Sequence, residues 1–314
     1  MSSTIMFDRK WYILLRLLEL KGDTYEEIDR REITDLKVTF TITNTLLGDP
    51  SLAMFQIYNI SPETVAFISN PKCYISFHTG YYTDNKNELN VLFNGQVTNS
   101  YQIRQQNDII WNVWARNAFT LLNVSKPDID SIQNETKRKA ILKKLTTAAP
   151  ELSEPIYIGD AESVIDNSED LPEFTLGGTF KEEFDDVLED IGLGWQIQGD
   201  DFLVFNSQNL DPTSDETEVI KIDRKTGLLT RPVIDYTGIT FTHLLNGKFK
   251  PTKVIEVDPN TVTYNLGNEF YVAQYDKTEW NAKGKFRIFE AKHRGDTRGS
   301  KWETDVIAFY RKNG

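Results

Sequence analysis

Leu36-Lys37-Val38-Thr39-Phe40-Thr41-Ile42-Thr43 alternates apolar and polar side chains residue by residue, which is what a strand buried on one face requires. Gly48-Asp49-Pro50 follows as a turn, and Ala53, Phe55 and Ile57 resume the alternation. Ser61-Pro62-Glu63 opens a short helix carrying Val65, Phe67 and Ile68 on one side, and Asn70-Pro71 closes it. Tyr74 to His78, Val91 to Tyr101 and Ile109 to Ala115 read as further strands, parted by the polar loops Asp84 to Asn87 and Arg104 to Asp108. Strands at this spacing predict an antiparallel sheet closing into a barrel or sandwich. This first β-barrel module is placed at residues 1–124.

The pattern changes beyond Asn123. Ser125-Lys126-Pro127-Asp128 reads as a connector, and Glu135 to Ala149 as a helix with Ile141, Leu142, Leu145 and Ala148 on one face. A loop rich in acids and prolines is expected from Glu151 to Pro172. Thr179-Phe180-Lys181-Glu182 then has the form of a capping box, in which Thr179 accepts from the Glu182 N–H while the Glu182 carboxylate reaches back. The helix it starts places Phe180, Phe184, Val187, Leu188 and Ile191 on one stripe and stops at Gly192. Trp195 to Ile197, a Gly199-Asp200 turn and Phe202 to Phe205 add a β-hairpin, making a small α/β domain at 125–212.

After the polar linker Asp211 to Glu216, a second β-barrel module is placed at 213–314. Its expected strands are Thr237 to Leu244, Thr252 to Val257, Glu269 to Ala273, Gly284 to His293 and Lys301 to Tyr310. Phe93 to Val97 leading to Trp111 to Ala115, and Phe286 to Glu290 leading to Trp302 to Val306, share one plan: strand, polar turn, strand begun by Trp. The expected fold class is therefore mainly β (α+β), two antiparallel β-barrel modules flanking a small α/β domain.

Composition narrows the function. Thirty-five Lys and Arg stand against 47 Asp and Glu, a net charge of −12 over 314 residues, so no broad basic face can grip nucleic acid by releasing counterions. Cys73 is the only cysteine, which excludes an intramolecular disulfide or a thiolate zinc cluster within one chain. Its strand-like flanks point to a buried thiol. Trp11 to Leu20 is interrupted by Arg16 and lacks a small-residue cleavage site, so it does not read as a signal peptide. No apolar run reaches the ~18 residues of a membrane helix, and folding in a reducing cytosol is expected.

Catalytic patterns are missing. His78, His243 and His293 stand far apart, and no serine-hydrolase elbow, phosphate loop or dinucleotide fingerprint occurs. Gly192-Leu193-Gly194 follows a helix where that fingerprint must open one. The carboxylate pairs Glu182/Glu183, Asp185/Asp186 and Glu189/Asp190 could suggest a glycosidase, but they lie opposite the apolar stripe, as a solvated face does. Asp128, Asp130, Asn134 and Glu135 lack the glycine and spacing of an EF-hand. Arg294-Gly295-Asp296 would be an adhesion tripeptide elsewhere, but Gly295 and Gly299 bracket a polar turn between strands. No enzyme activity, metal or cofactor is expected. One local feature opposes the global sign: Lys137, Arg138, Lys139, Lys143 and Lys144 crowd one helix, either as a solvated face or as a docking surface for an acidic partner or a neighbouring copy.

Ile33 to Phe40 with Ser51 to Ser61, and Leu92 to Val97, resemble the opening of bacteriophage tail proteins of the baseplate-hub family. Thr226 to Pro232, Gly238 to Phe241, Leu244 to Asn246, Lys250 to Val254, His293 to Thr297 and Trp302 to Thr304 resemble their C-terminal barrel. The resemblance implies a structural virion protein of the tail baseplate. It would be a homotrimer with two barrels per chain, forming a pseudo-six-fold ring between the six-fold tail tube and the three-fold central spike. Tail tube protein, spike, other baseplate proteins and tape-measure protein would be its partners, and DNA would pass through without being bound. Alternative readings are a tail-tip peptidoglycan hydrolase, or a receptor- or carbohydrate-binding tail protein using Tyr81, Tyr82, Trp111 and Trp280.

Overall fold

The structure is a computed structural model that describes residues 8–21, 24–46, 50–81, 89–127, 136–149, 152–171, 177–207, 209, 219–235, 238–264 and 284–309. The expected strand at Glu269–Ala273, the linker 211–216 and the cluster Asp128, Asp130, Asn134 and Glu135 lie outside the described residues.

The first region contains β1 (Arg9–Lys21), β2 (Thr24–Ile33), β3 (Val38–Thr45), β4 (Leu52–Tyr58), α1 (Pro62–Ile68), β5 (Cys73–Tyr81), β6 (Asn90–Gln105) and β7 (Asp108–Arg116). The alternation read at Leu36–Thr43 is literal in β3, where Val38, Phe40 and Ile42 are buried and the threonines between them are half-buried. Its neighbour β4 buries Ala53, Phe55 and Ile57 in the same core, in register with β3 through Phe40 opposite Phe55. β1 and β2 were not anticipated as strands. On β1, Ile13 and Leu15 are buried and Trp11 and Leu17 pack against the same core, but Leu14 and Leu18 make the opposite face apolar too, which hides the period.

The middle region contains α2 (Phe119–Asn123), α3 (Arg138–Thr147), β8 (Ile156–Ile158), α4 (Ala161–Asp166), α5 (Phe180–Leu188), β9 (Leu193–Gln198) and β10 (Asp201–Asn206). A separate three-stranded sheet, ordered β8-β10-β9, carries a core of its own in which Phe184, Trp195 and Phe202 stack closely. Leu121 and Leu122 of α2 belong to that core. The stretch expected as a loop from Glu151 to Pro172 instead holds β8 and α4, elements too short to show a period, with Ala161 and Ile165 buried. The capping box forms as read: Thr179 accepts from the Glu182 N–H, and Glu182 Oε2 accepts from the Thr179 N–H at 2.7 Å.

The last region contains β11 (Ile220–Ile222), β12 (Val233–Ile234), β13 (Ile239–Leu244), β14 (Val254–Val257), β15 (Thr263–Tyr264), β16 (Lys285–Asp296) and β17 (Trp302–Phe309). Most pairings are antiparallel, with short parallel pairs at β11–β14 and β12–β15. Both β regions form one sheet, ordered β15-β12-β13-β17-β16-β3-β4-β7-β6-β5-β1-β2, with β14 also on β16. The β3–β4 hairpin is thus flanked by β6–β7 on one side and β16–β17 on the other, the two hairpins whose sequences share a plan.

β16 and β17 serve both cores. Phe286, Ile288, Ala291, Val306 and Ala308 pack in the last region, whereas Trp302 at the start of β17 is buried with Phe40 in the first, their rings edge to face at 5.3 Å. Gly295 lies between those rings: a Cβ there would come within 2.5 Å of Phe40 and 2.8 Å of Trp302, so any side chain would push the aromatics apart. The polar turn expected between Gly295 and Gly299 lies slightly later, since β16 runs to Asp296 and β17 begins at Trp302. Across the sheet, the Arg9 guanidinium on β1 donates to the carbonyls of Gly299 and Ser300 at 2.7 and 2.9 Å and lies over the Trp302 ring. Side chains thereby close the first core where no ladder does.

Candidate functional site

The histidines are structural. His78 stacks on Tyr12 at 4.2 Å, and burial, then the Arg16 charge, push its pKa down. His243 and His293 are buried and sit opposite Thr304 from the two sides of β17. His293 Nδ1 lies 2.9 Å from Thr304 Oγ1, and burial, then the Lys250 charge, hold its pKa down to about 3. Cys73 is fully buried, with burial pushing its thiol up to about 12. Among the described residues no group of three His, Cys, Asp or Glu is arranged to hold a metal ion.

Two carboxylates of α5 depart from the expected solvated face, while Asp190 stays 58% exposed. Glu183 is buried and accepts from the Gly177 and Gly178 amides at 3.0 and 2.7 Å. Asp185 accepts from the Trp195 indole N–H at 2.7 Å, and Asp190 accepts from Arg138. These carboxylates hold the turn before α5 and the elements packed against it.

The basic helix divides in the same way. Arg138 is only 6% exposed, so it is removed from the expected docking surface. It donates to both Asp190 oxygens at 2.7 Å, to the Val187 carbonyl at 2.6 Å and to the Glu169 carbonyl at 3.2 Å. The spacing that could have revealed this is in the sequence, since Arg138 precedes Ile141, Leu142 and Leu145 by three, four and seven residues and therefore lies on their stripe. Lys139 pairs with Glu162 and Asp166, and Lys143 with Glu154 at 3.1 Å. Lys137 is exposed and Lys144 half-buried. Of the aromatics considered for glycans, Tyr81 buries its hydroxyl and Trp111 packs on the first core, while Tyr82 and Trp280 lie outside the described residues.

A cleft of about 430 Å³ lies where the three regions meet, with Arg16, Ser76, Asn94, Asp200, Asp201 and Lys250 in its walls. Arg16 donates to Ser76 Oγ and Asn94 Oδ1 at 3.1 and 3.0 Å. The β9–β10 hairpin reaches both β regions here: the Gln196 amide donates to the Thr45 carbonyl, Gln198 donates to the Pro251 carbonyl at 3.1 Å, and Asn117 bridges the Asn94 carbonyl and the Gly199 N–H. Mixed charge and side-chain clamps describe a joint between structural units; Ser76 and His78 both line it, and the Ser76 hydroxyl donates to Asn94 Oδ1 at 2.7 Å.

No family model matches the chain, and no curated protein matches it in sequence. Solved structures do. The tail protein from Neisseria meningitidis MC58 superposes with a TM-score of 0.53 over 96% of both chains at 10% identity. The 43 kDa tail protein of prophage MuSo2 from Shewanella oneidensis gives 0.56 over 96% of this chain and 98% of that one, at 9% identity. A chain of the Francisella PdpA–VgrG complex gives 0.54 over 97% of this chain and 54% of that one, at 10% identity. Over 96% of its length the chain has the fold of these tail proteins.

Proposed function

We propose that the chain is a structural protein of a phage tail, the baseplate hub. The observation that carries this reading is the likeness of fold to two phage tail proteins over nearly the whole of each chain, joined to two β regions that share one sheet. Three copies would present six similar β modules around an axis, a ring that can meet a six-fold tail tube on one face and a three-fold spike on the other. The net charge of −12 per chain suits a channel wall that repels the DNA backbone and lets the genome slide.

Light scattering tests the reading. A mass three times the 36.2 kDa of one chain, with density for the protein at the tail tip of virions, is the expected result. A stable monomer absent from virions overturns it, and clearing on a peptidoglycan zymogram would favour a hydrolase instead.

A further inference from the structure

Among the strand edges of the large sheet that carry no neighbouring strand among the described residues, two are long, whereas those of β11 and β15 span only three and two residues. β2 pairs with β1 alone. β6 meets β5 only from Asn90 to Gln96, while its pairing with β7 continues to Gln105, so Val97–Gln105 has one open side. The direction of its backbone groups follows from Asn59. The Ile109 N–H donates to Asn59 Oδ1 at 2.9 Å, and its carbonyl accepts from the Asn59 N–H at 2.8 Å. Neither group therefore faces Arg104, the residue opposite Ile109. Alternation along an antiparallel ladder then turns the N–H and C=O of Arg104, Gln102 and Ser100 outward.

Beside this open edge runs a groove of about 380 Å³, between Ile68 and Pro71 at the end of α1 and Phe119 at the start of α2. Tyr101 and Ile103, on the same strand, are 44% and 46% exposed, and Ile28 on β2 is 55% exposed. Long edges bearing exposed apolar side chains invite another strand, and the register shift of β2 between Glu27 and Asp29 leaves Ile28 without a partner on β1. Charge selects the occupant. After the pairs Lys21–Glu26 and Arg30–Glu27 are set aside, Asp29 and Glu32 against Arg31 keep β2 acidic, while the single charged residue of Val97–Gln105 is the cation Arg104.

We propose that β2 of one copy adds as a strand to the open edge of β6 on the next copy. Each copy then uses each edge once, a head-to-tail contact that closes a ring when successive copies are related by a third of a turn. The inference rests on the trimeric hub reading and supplies its subunit contact.

Disulfide trapping tests it. Ile28→Cys is combined in turn with Ser100→Cys, Tyr101→Cys, Gln102→Cys and Ile103→Cys, to allow for register, in the otherwise native chain, whose Cys73 is buried. The expected result is a covalently closed trimer from one or two adjacent combinations and from no single variant. Gln102→Pro removes an outward N–H without touching the β6–β7 ladder, and should weaken trimerisation at least tenfold while leaving the melting temperature of the monomer unchanged. A trimer by light scattering that gives no β2–β6 cross-link and tolerates Gln102→Pro overturns the contact and leaves the hub reading standing. Cross-linked dimers from Tyr101→Cys alone would also overturn it, because that edge would then meet itself. A monomer under all conditions removes both.

Discussion

Where β16 meets β3, an antiparallel ladder from Glu290 to Asp296 carries the last region into the first. Where the α/β unit meets either β region, the links include the Gln196, Gln198 and Asn117 amides, the Thr120 donors to Gln96 Oε1, and the small cluster of Leu46 with Phe205. The first junction shares a hydrophobic core through Trp302, whereas the second joins two cores that are each complete. A ladder bonds every second residue and tolerates little displacement, while amide clamps around a cleft can be lost one by one. The β regions are therefore expected to unfold together and the α/β unit to be capable of unfolding apart from them.

The strongest test of this contrast is Trp302→Ala. Although Trp302 lies near the C-terminal end, it should cost about 4 kcal/mol through the cavity left beside Phe40, with hydrogen exchange rising in β3 and β4 and little changed in α5. Arg138→Ala should produce the complementary pattern. Loss of charge-assisted bonds, and of donors to the carbonyls of Val187 and Glu169, should destabilise the α/β unit by about 3 kcal/mol, read as an earlier and separate thermal transition; a single unchanged transition would count against separability.

Acid probes the shared hairpin more gently. His293 has a folded-state pKa of about 3 against an ordinary 6.5, so between these values the unfolded chain binds a proton that the native one does not. Its contribution is full above pH 6.5 and is lost as the pH falls toward 3, about 2 kcal/mol of it by pH 5. His243, also held low mainly by burial, adds in the same direction. Chemical denaturation at pH 7 and 5 should show the loss in the β regions, and His293→Gln should flatten the slope. The smallest effect is expected from Thr179→Ala, about 1 kcal/mol from the lost cap of α5, confined to the α/β unit in the same exchange experiment.

How much of this was legible depended on whether a local period or a distant partner decided the outcome. β3, β4, the capping box and the β9–β10 hairpin each carry their instruction within a few residues, and they form where expected. β1 was obscured because both its faces are apolar. β2, with charges along most of its length, shows no period and is a strand because β1 pairs with it. The joining of the two β regions depends on Gly295 fitting between Phe40 and Trp302, residues far apart in sequence, and a lone glycine before an aspartate reads locally as a turn. Among the candidate site residues, Arg138 was misread by charge though its helical position was informative. The open edge of β6 exists only once its neighbours are known.

The dependence of the first core on Trp302 also sets an order of events during synthesis. The α/β unit has its residues in hand once β10 has left the ribosome, and can settle while the chain is still growing. Strands β1 to β4 must wait for β16 and β17 before Arg9 finds the carbonyls of Gly299 and Ser300 and Phe40 finds its ring partner. A nascent chain released before β16 would hold the β3–β4 hairpin without the strand that pairs with β3, so the first core is tied to residues made about 250 positions later.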